Sequence, residues 1–450
     1  MKIFSDGFQD NWDNSALTDL DKGLTLSYGD LASCIQRMHM LLEALGVRQG
    51  TRIAVVGRNS IDWITCYLGA ITYGATVITM PPFYDGDEMI SLLADVGTEY
   101  LFIDRSMYDT ANVNLSFLPM IKLVVSIDTM HVLACRHGAV KNAEMILSGI
   151  DQEFVNMYPY GFTPDCATAP VLSPDSVVAI FFTSGTMGRP RPVMLMADNL
   201  EGNIIYGIKA ALHPRHSSAV TSTTLGTVWG TIFNLLVPLS SGAHLSVFSD
   251  VKNPAAMVRA FMQAKPRRLM ISTLVMSRFY DYVWQVHRNK RTMRWLSAIP
   301  GGNKMVARLM RLTMGRMLGG RCQEVIVGYT KTGPSLSYRL RQAGVHFTVV
   351  YGLTECGGLV GYVPASNYRV GTSGRTLGSL VRCRIRPVDY KGLPEKAGVL
   401  EVKGMTVMKG YAGEGDMAHA PLTSDGWLST GDIATISHDG DLTIIGRIDT

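Results

Sequence analysis

The segment Val177–Val193 begins as a run of apolar residues and continues as a loop rich in polar groups. The loop holds hydroxyl groups, glycines and cations at Thr183, Ser184, Gly185, Thr186, Gly188, Arg189 and Arg191. Hydroxyl groups, backbone N–H groups and cations on one flexible loop suit a polyphosphate. The spacing GxxxxGK[ST] does not occur, which excludes a Walker A loop. An ordinary glycine-rich turn between a strand and a helix is the alternative interpretation.

A second polar group follows another predicted strand, in the segment Val349–Glu355. Its side chains are those of Tyr351, Thr354 and Glu355, and Gly352 lies between them. A tyrosine can stack on a purine, a threonine can reach a phosphate oxygen, and a carboxylate can hold Mg²⁺ beside phosphates. Taken singly, each of these residues is more often a core aromatic residue or a helix cap.

A third group lies near the end of the chain, where Trp427–Asp432 places a carboxylate directly after a glycine. A carboxylate can accept hydrogen bonds from both hydroxyl groups of a ribose. Arg447 follows fifteen residues later, within Gly446–Asp449. The three segments together are far more specific than any one of them alone.

Alternating helices and strands must position these loops. Helical patterns such as Ile61–Tyr73 alternate with short apolar strands such as Arg52–Gly57, and the alternation resumes from Val177 to about Thr354. This order indicates parallel sheets that helices cover on both faces. From about Gly371, short β-rich runs predict a small antiparallel barrel or sheet: Val381–Val388, Gly398–Lys403, Gly431–Ile436 and Asp441–Gly446.

We therefore predict an α/β fold with two mostly parallel sheets flanked by helices and a small β-barrel subdomain. The expected units are a first α/β subdomain at 1–176, a second at 177–370 with the phosphate loop, and a small β-rich subdomain at 371–446. Residues 447–450 are expected to be a hinge.

Composition bounds the class of protein. The 450 residues are 47% hydrophobic and 18% charged, which excludes a disordered, collagen-like or coiled-coil chain. The seven cysteines are scattered and never spaced CxxC, which favours a reduced, cytoplasmic compartment. Two uncharged stretches, Trp63–Tyr84 and Ser217–Phe248, are interrupted by glycine, proline and hydroxyl residues. They fit buried helix–strand pairs better than membrane spans.

In their order along the chain, these motifs resemble the adenylate-forming superfamily of acyl-CoA synthetases, nonribosomal peptide adenylation domains and luciferases. Thr183–Pro192 is similar to the family's TSGTTGxPKG loop, and Tyr351–Glu355 matches its aromatic–Gly–x–Thr–Glu motif. Thr430–Asp432 matches its TGD motif and Gly446–Asp449 its GRxD hinge. Further stretches, such as Gly398–Tyr411, follow the family pattern, so that the resemblance covers essentially the whole chain.

The resemblance implies a two-step reaction. A carboxylic acid attacks the α-phosphate of ATP, which gives an acyl-adenylate and pyrophosphate, and a thiol then takes the acyl group. Coenzyme A is the expected thiol, with Mg²⁺ as the metal ion. One alternative is an acyl-AMP ligase that loads an acyl carrier protein. Another, of a different class, is a nucleotide-binding regulatory protein that has lost turnover.

The resemblance also implies roles for individual residues. Those expected to bind the nucleotide are Thr183, Ser184, Gly185, Thr186, Gly188, Thr332, Gly333, Pro334, Tyr351, Gly352, Asp432 and Arg447. Those expected to act in catalysis are Thr354 at the α-phosphate, Glu355 as the Mg²⁺ ligand, and Arg191. The family usually has Lys-Gly where this chain has Arg191–Pro192, so pyrophosphate handling is expected to differ.

The acyl pocket is expected between Thr227–Asn234 and Cys356–Gly358. Its implied residues are Thr227, Trp229, Tyr329, Cys356 and Gly357. Thr227 stands where the family often has an aromatic residue or histidine that gates the acyl tunnel, which predicts an unusual substrate shape. The residues expected in the pocket do not indicate which carboxylic acid is the substrate.

Asp449 matches the family's hinge, after which the family has a small C-terminal domain that carries a catalytic lysine. Since no such domain follows Thr450, we expect the printed chain to bind nucleotide and acyl-adenylate but to be half-active or inactive.

The segment 265–321 is strongly basic, with thirteen Lys/Arg residues and one acid, Asp281. It is either a docking face for coenzyme A phosphates or for an acidic acyl carrier protein, or simply a solvated helical face. No nucleic-acid reader motif accompanies the charge, and no nucleic-acid partner is expected.

Overall fold

The computed structural model describes residues 7–168, 172–183, 188–288, 302–328, 332–378, 380–388, 392–413 and 422–448. Its strands in chain order are β1 Ser15–Asp19, β2 Leu24–Ser27, β3 Arg52–Val56, β4 Thr76–Met80, β5 Tyr100–Ile103, β6 Leu123–Ser126, β7 Val132–Cys135, β8 Val177–Phe182, β9 Pro192–Met196, β10 Ser218–Val220, β11 His244–Val247, β12 Arg268–Ser272, β13 Glu324–Gly328, β14 Phe347–Val349, β15 Val381–Pro387, β16 Gly398–Gly404, β17 Gly410–Tyr411, β18 Leu428–Ile436 and β19 Leu442–Arg447.

Helices separate most of the strands up to β14. They are α1 Tyr28–Ala44, α2 Ile61–Tyr73, α3 Gly86–Asp95, α4 Arg105–Ala111, α5 Ala143–Met157, α6 Ala197–Lys209, α7 Val228–Thr231, α8 Val237–Ser240, α9 Pro254–Ala264, α10 Thr273–Arg288, α11 Gly302–Met317 and α12 Pro334–Gln342. A π-helical turn, Ile232–Leu236, joins α7 to α8. The 3₁₀ turns are Leu115–Phe117, Pro164–Cys166, Thr354–Cys356 and Ala365–Asn367.

The largest sheet has eight strands in the order β17-β9-β8-β4-β3-β5-β6-β7. Its centre, from β8 through β4, β3 and β5 to β6, is parallel, and its outer pairs are antiparallel. The central strands are almost entirely buried because helices cover both faces, as the apolar runs predict. Since β8 and β9 belong to this sheet, it continues across the boundary expected at residue 176.

Two smaller sheets make up the second α/β region. One has the order β10-β11-β1-β2, and the other is the parallel trio β12-β13-β14. The backbone N–H of Arg267 donates to the carbonyl of Ser218 at 3.0 Å, which ties the two sheets together at the starts of β10 and β12. The trio β12-β13-β14 packs mainly in a second buried core, whereas the other sheet packs mainly in the main core, and the α/β prediction is confirmed.

The small β-rich region is an antiparallel sheet of order β15-β16-β18-β19. Of the two forms expected from the sequence, a barrel and a sheet, the described strands form the sheet, because β15 and β19 each have one strand partner in it. β17 leaves this region and pairs with β9 of the eight-stranded sheet.

Local signals explain why the elements begin and end where they do. The side chain of Ser60 caps α2, which ends at Gly74 with φ +98°, so that the helix occupies the predicted range Ile61–Tyr73. The two uncharged stretches form helices and strands, and no helix among the described residues is long and apolar enough to cross a membrane. All seven cysteines are free thiols.

Candidate active site

The two ends of the phosphate loop are held together by the hairpin β8–β9. The Thr183 hydroxyl accepts from the backbone N–H of Arg191 at 2.9 Å, and the Thr183 N–H donates to the Arg191 carbonyl at 3.0 Å. Gly188 lies between them with φ +129°, a conformation that suits glycine. Ser184, Gly185 and Thr186 lie outside the described residues. The loop therefore begins and ends at one fixed point beside the last residue of β8.

The two arginines after the loop have different surroundings. Arg189 forms an ion pair with Asp95 at 2.6 Å and donates to the Ser91 hydroxyl at 2.6 Å, so its charge is directed to α3. The Arg191 guanidinium lies over the Tyr411 ring, 3.6 Å from its centroid. Both arginines were candidates for binding a polyphosphate, but of the two only Arg191 contacts another residue of the candidate site.

Tyr411 connects the phosphate loop to the second motif. Its hydroxyl donates to Glu355 Oε1 at 2.8 Å, and the Met408 N–H donates to the Glu355 carbonyl at 2.8 Å. The pairing of β17 with β9 places Tyr411 opposite Val193, two residues after Arg191. Burial and Glu355 raise the pKa of Tyr411, whereas the charges of Arg191 and Arg447 lower it. The hydroxyl therefore stays a donor that orients the Glu355 carboxylate.

The second and third motifs meet through a direct contact. The Tyr351 hydroxyl donates to Asp432 Oδ2 at 2.5 Å across 81 residues of sequence. Arg447 pairs with Asp432 in the sheet register, and its Nε lies 3.9 Å from Asp432 Oδ1. Burial raises the pKa of Asp432, while the hydrogen bond from Tyr351 and the charge of Arg447 oppose the rise. Asp432 is 16% exposed, so that a ligand can reach its free oxygen.

The turn after β14 depends on close backbone approach. The Val360 N–H and Gly361 N–H both donate to the Tyr351 carbonyl, at 2.9 and 3.0 Å. A Cβ at Gly352 would overlap the carbonyl oxygen of Gly358 and lie 2.5 Å from its carbonyl carbon. Thr354 starts the 3₁₀ turn that follows, and its side chain is partly exposed. Gly352 therefore lets the two arms of the loop touch.

The segment expected beside the adenine also follows a strand end. The Thr332 and Thr273 hydroxyl groups share a hydrogen bond of 2.8 Å, which links the loop after β13 to the start of α10. Gly333 is the N-cap position of α12, and Pro334 is its first residue. No contact between this segment and Tyr351 or Asp432 is recorded among the described residues, so its place beside the nucleotide stays a prediction.

Trp229 forms one wall of the expected acyl pocket. Its side chain is 2% exposed, packs on Phe233 with ring centroids 4.9 Å apart, and lies next to Gly358. The Thr227 hydroxyl instead caps α7, since it accepts from the Gly230 N–H at 3.1 Å and donates to the Thr224 carbonyl at 2.8 Å. A hydroxyl with both of these partners is held at the helix start, and Trp229 is the large side chain in this wall.

An asparagine holds the turn that is expected to form the other side of the acyl pocket. The Asn203 amide donates to the Cys356 carbonyl at 3.2 Å, and a Cβ at Gly357, which has φ +64°, would lie 2.5 Å from that amide nitrogen. Burial raises the pKa of the Cys356 thiol far above its usual range, so that the thiol stays protonated. Cys356 and Gly357 therefore shape the wall. Tyr329 and the hinge residue Asp449 lie outside the described residues.

A π turn bends the helix that carries Trp229. Pro238 cannot donate a backbone hydrogen bond, and its ring would clash with the carbonyl four residues earlier in a regular helix. The helix instead widens, and the Val237 N–H donates to the Ile232 carbonyl five residues back. The carbonyl of Phe233 is bonded by Nε2 of His213 at 3.0 Å. His213 thus satisfies a group in the π turn.

We predict that His213 makes stability depend on pH. Burial lowers the pKa of His213 from 6.5 to about 4, so the folded protein resists the proton that the unfolded chain accepts. The contribution is present above pH 6.5 and is lost as the pH falls towards 4. Urea unfolding should show that native protein loses about 2 kcal/mol more between pH 7 and pH 5 than His213→Gln does.

The exposed His438 provides the control for this prediction, since the variant His438→Gln should keep the native pH slope. An unchanged slope in His213→Gln would show that His213 does not carry the effect. The buried His39, whose pKa burial also lowers to about 4, should account for a slope that persists in both variants.

A family comparison places this geometry among known proteins. The model of the family described as AMP-binding enzyme matches residues 6–412. The chain belongs to the AMP-binding enzyme family. The match includes the phosphate loop, the Tyr351–Glu355 motif and Tyr411, and thus most of the residues that the structure brings together.

Curated relatives of this AMP-binding enzyme are distant but extensive. The chain is 24% identical to the long-chain-fatty-acid–CoA ligase FadD15 of Mycobacterium tuberculosis, over 93% of this chain and 68% of the relative. It is 25% identical to 4-coumarate-CoA ligase 1 of Narcissus pseudonarcissus, over 97% of this chain and 73% of the relative.

Solved structures share the fold. ATP-bound MatB from Rhodopseudomonas palustris superposes with a TM-score of 0.75 at 21% identity, over 99% of this chain and 78% of MatB. The N-terminal domain of FACL13 from Mycobacterium tuberculosis also gives 0.75, at 15% identity, over 99% of both chains. At these identities the likeness shows the fold of this AMP-binding enzyme.

The donor set of the site fits a magnesium ion that is bound mainly by phosphate oxygens. Glu355 supplies one partly exposed carboxylate, and Mg²⁺ in nucleotide sites commonly takes one or two carboxylates along with phosphates and water. Among the described residues, no group of three or more acids, histidines or cysteines is placed to hold a metal ion. A metal held by Glu355 would therefore depend on the nucleotide for its other ligands.

Two residues that contact the candidate site were not predicted from the sequence. Tyr411 stands in the motif Met408–Tyr411, and its family match was visible, but its bond to Glu355 depends on a strand pairing between distant segments. Asn203 lies on α6 and shows no motif. Its contact with Cys356 spans 153 residues and leaves no signal in the sequence.

Proposed function

We propose that this AMP-binding enzyme activates a carboxylic acid with Mg²⁺ and ATP to an acyl-adenylate, releases pyrophosphate, and passes the acyl group to coenzyme A. The observation that carries the proposal is the 2.5 Å hydrogen bond from Tyr351 to Asp432, since it joins the two nucleotide motifs at one point. The names of the curated relatives, which are CoA ligases, support the reaction class.

The residues act by binding and positioning. The free oxygen of Asp432 accepts from the ribose, and the Tyr351 ring, held by its own hydroxyl, offers an apolar face to the adenine. The Thr183–Arg191 hairpin places the phosphate loop, and Thr354 reaches the α-phosphate. Mg²⁺, when bound at Glu355, neutralises phosphate charge.

The chemical step is proposed to depend on cations that are already in position near the phosphates. The acid carboxylate must approach an anionic phosphate, so cations near the phosphates lower the barrier by electrostatic stabilisation. Arg191 is fixed over Tyr411, and Arg447 lies beside Asp432. A guanidinium that is already held in place needs little reorganisation when charge shifts to the pyrophosphate.

The acyl group is proposed to lie beside the surface where Trp229 packs against the turn Cys356–Gly358. This pocket wall is apolar and aromatic, and no charged partner for an α-amino group is recorded there among the described residues. Fatty and aromatic acids, the classes in the relatives' names, should therefore lead the substrate panel. A carrier protein is the alternative acceptor, and it is distinguished by comparing thioester formation on coenzyme A with loading of the carrier.

We predict that Asp432→Asn weakens nucleotide binding and activity. The change removes the negative charge from the group that is proposed to accept from the ribose, and a hydrogen bond to a charged group contributes about 1.5–3 kcal/mol. Calorimetry with AMP should show an affinity at least about tenfold weaker. Acid-dependent exchange of labelled pyrophosphate into ATP should fall at least as far.

The matched control is Asp425→Asn, which removes an exposed carboxylate from the same region, where it pairs with Arg384. It should leave AMP affinity within a factor of two. If AMP binds but no acid in a broad panel supports exchange, the regulatory interpretation replaces the enzyme. If AMP binds with equal affinity to native protein and to Asp432→Asn, the proposed nucleotide site is wrong.

A further inference from the structure

A basic cleft lies apart from the residues of the candidate active site. It has a volume of about 400 Å³ and is lined by polar side chains and cations, which include Arg215, His216, Lys265, Arg267, Arg321 and Gln323. Three separate loops contribute, namely those that lead into β10, β12 and β13. Residues far apart in sequence thus supply four cations to one concavity.

Backbone hydrogen bonds fix the floor of this basic cleft. The Arg267 N–H donates to the Ser218 carbonyl at 3.0 Å, and the Gln323 N–H donates to the Arg267 carbonyl at 2.8 Å. The Arg267 Nε also donates to the Gln323 side-chain oxygen at 2.9 Å. The strands therefore hold at least one guanidinium in a set direction before any ligand arrives.

The turns around the cleft adopt unusual backbone conformations. His216 has φ +55° and Lys265 has φ +49°, in the left-handed region that side chains other than glycine seldom occupy. A Cβ at Gly319 would lie 2.5 Å from the Phe261 carbonyl oxygen and 3.0 Å from Lys265 Cα. Such strained positions persist only where the surroundings hold them. The turn before Arg321 is thereby pressed against Lys265.

The charge of the cleft is largely unbalanced. Arg215 has a carboxylate nearby, since its Nη1 atom lies 3.9 Å from Asp10 Oδ2. Within the described residues, no ion pair of Lys265, Arg267 or Arg321 is present. The neighbouring Arg268 differs, since it turns inward and pairs with the buried Glu324 at 3.1 Å. The cations that face the cleft are therefore left to attract an anion.

The cleft lies at the other end of the strands from the active-site residues. Its residues precede β12 and β13, whereas Tyr351 follows β14, which runs parallel to β13 in the same sheet. Five residues of parallel strand span roughly 16 Å. A ligand in the cleft would thus bind without entering the nucleotide site.

We propose that this basic cleft binds a small ligand with two or more phosphate groups. Its volume is in the range of small-molecule sites, about 300–1,000 Å³. Guanidinium groups pair with phosphate through two parallel hydrogen bonds, and several cations around a hollow select multiple charges over one. A concave site with cations on its walls fits a small polyphosphate better than the convex surface of an acidic carrier protein. The proposal concerns a second site and does not depend on turnover.

Calorimetry without Mg²⁺ tests the proposal with three probes: inorganic pyrophosphate, adenosine 3′,5′-bisphosphate and inorganic phosphate. The first two distinguish a free pyrophosphate from the phosphate-bearing end of a nucleotide. At least one of them should bind tenfold more tightly than inorganic phosphate. The variant Lys265→Gln/Arg321→Gln should weaken that binding at least tenfold, and added salt should weaken it in the native protein.

The control variant Lys304→Gln/Arg308→Gln removes the same charge from exposed positions of α11, and it should bind the probe within a factor of two of native protein. Equal losses in both variants would show unspecific attraction and overturn the proposal. Loss of probe binding in Asp432→Asn, with binding by the cleft variant unchanged, would also overturn the proposal. The probe would then occupy the nucleotide site. An acidic carrier protein is the fourth probe: if the cleft variant weakened its binding but not that of pyrophosphate or the bisphosphate, the proposal of a small ligand would be overturned. Unchanged AMP affinity shows that the cleft variant is folded.

Discussion

Replacing Glu355 by glutamine is expected to lower acid-dependent pyrophosphate exchange by a factor of about 10³, equivalent to about 4 kcal/mol of transition-state stabilisation. Glutamine keeps the size of the side chain and can still accept the hydrogen bond from Tyr411. It lacks the negative charge that would hold Mg²⁺ against the phosphates. Steady-state kinetics over a range of Mg²⁺ concentrations should show the loss in kcat, with AMP affinity nearly unchanged.

The variant Tyr411→Phe separates charge from orientation. It leaves the Glu355 carboxylate in place but removes the hydroxyl that points it, and the phenylalanine ring still lies under Arg191. A loss of about tenfold is expected, in line with one hydrogen bond to a charged group. If Glu355→Gln retained exchange with its Mg²⁺ dependence intact, the proposed metal ligand would be wrong.

Replacing Gly352 by alanine is expected to destabilise the fold by about 3 kcal/mol or more, and to abolish AMP binding. The new methyl group would meet the Gly358 backbone, which has no side-chain freedom to move aside. The two arms of the turn that carries Tyr351 and Glu355 would have to separate. Urea unfolding measures the first effect and calorimetry with AMP the second.

Gly333→Ala is the matched control, because a Cβ at Gly333 meets no atom of the described residues within 4 Å. It should cost less than about 1 kcal/mol, the usual range for a change at a helix start. Equal unfolding midpoints for Gly352→Ala and native protein would mean that the turn has more room than the backbone contact indicates.

Local patterns predicted the elements well where they depended on neighbours in the sequence. The helix Ile61–Tyr73 is rich in apolar residues and lies between the cap residues Ser60 and Gly74, so its bounds could be predicted. The capping role of Thr227 was also within reach, since a threonine directly before a helix is a common start signal. The resemblance to a family instead placed that residue in the acyl pocket, where the family often has an aromatic residue or histidine.

Contacts between distant segments could not be predicted. Arg189 and Arg191 are equivalent in a sequence pattern, but Asp95 binds one and Tyr411 stacks on the other. Whether β15–β19 close into a barrel depends on how the strands meet, which composition does not specify. The convergence of Tyr351 and Asp432 was expected only because motif order resembled a family. Their mutual hydrogen bond, and the burial that raises the pKa of Asp432, depend on the fold.

The short strand β17 has a consequence for solubility. It forms the outermost strand of the eight-stranded sheet and covers β9, whose Val193 and Leu195 are fully buried. An uncovered β9 would present unpaired backbone groups beside apolar side chains, which is a template for pairing with a second chain. Gly410 and Tyr411 therefore protect this sheet edge from pairing with a second chain, and Tyr411 also supports Glu355. Loss of that pairing would lead to aggregation and inactivity together.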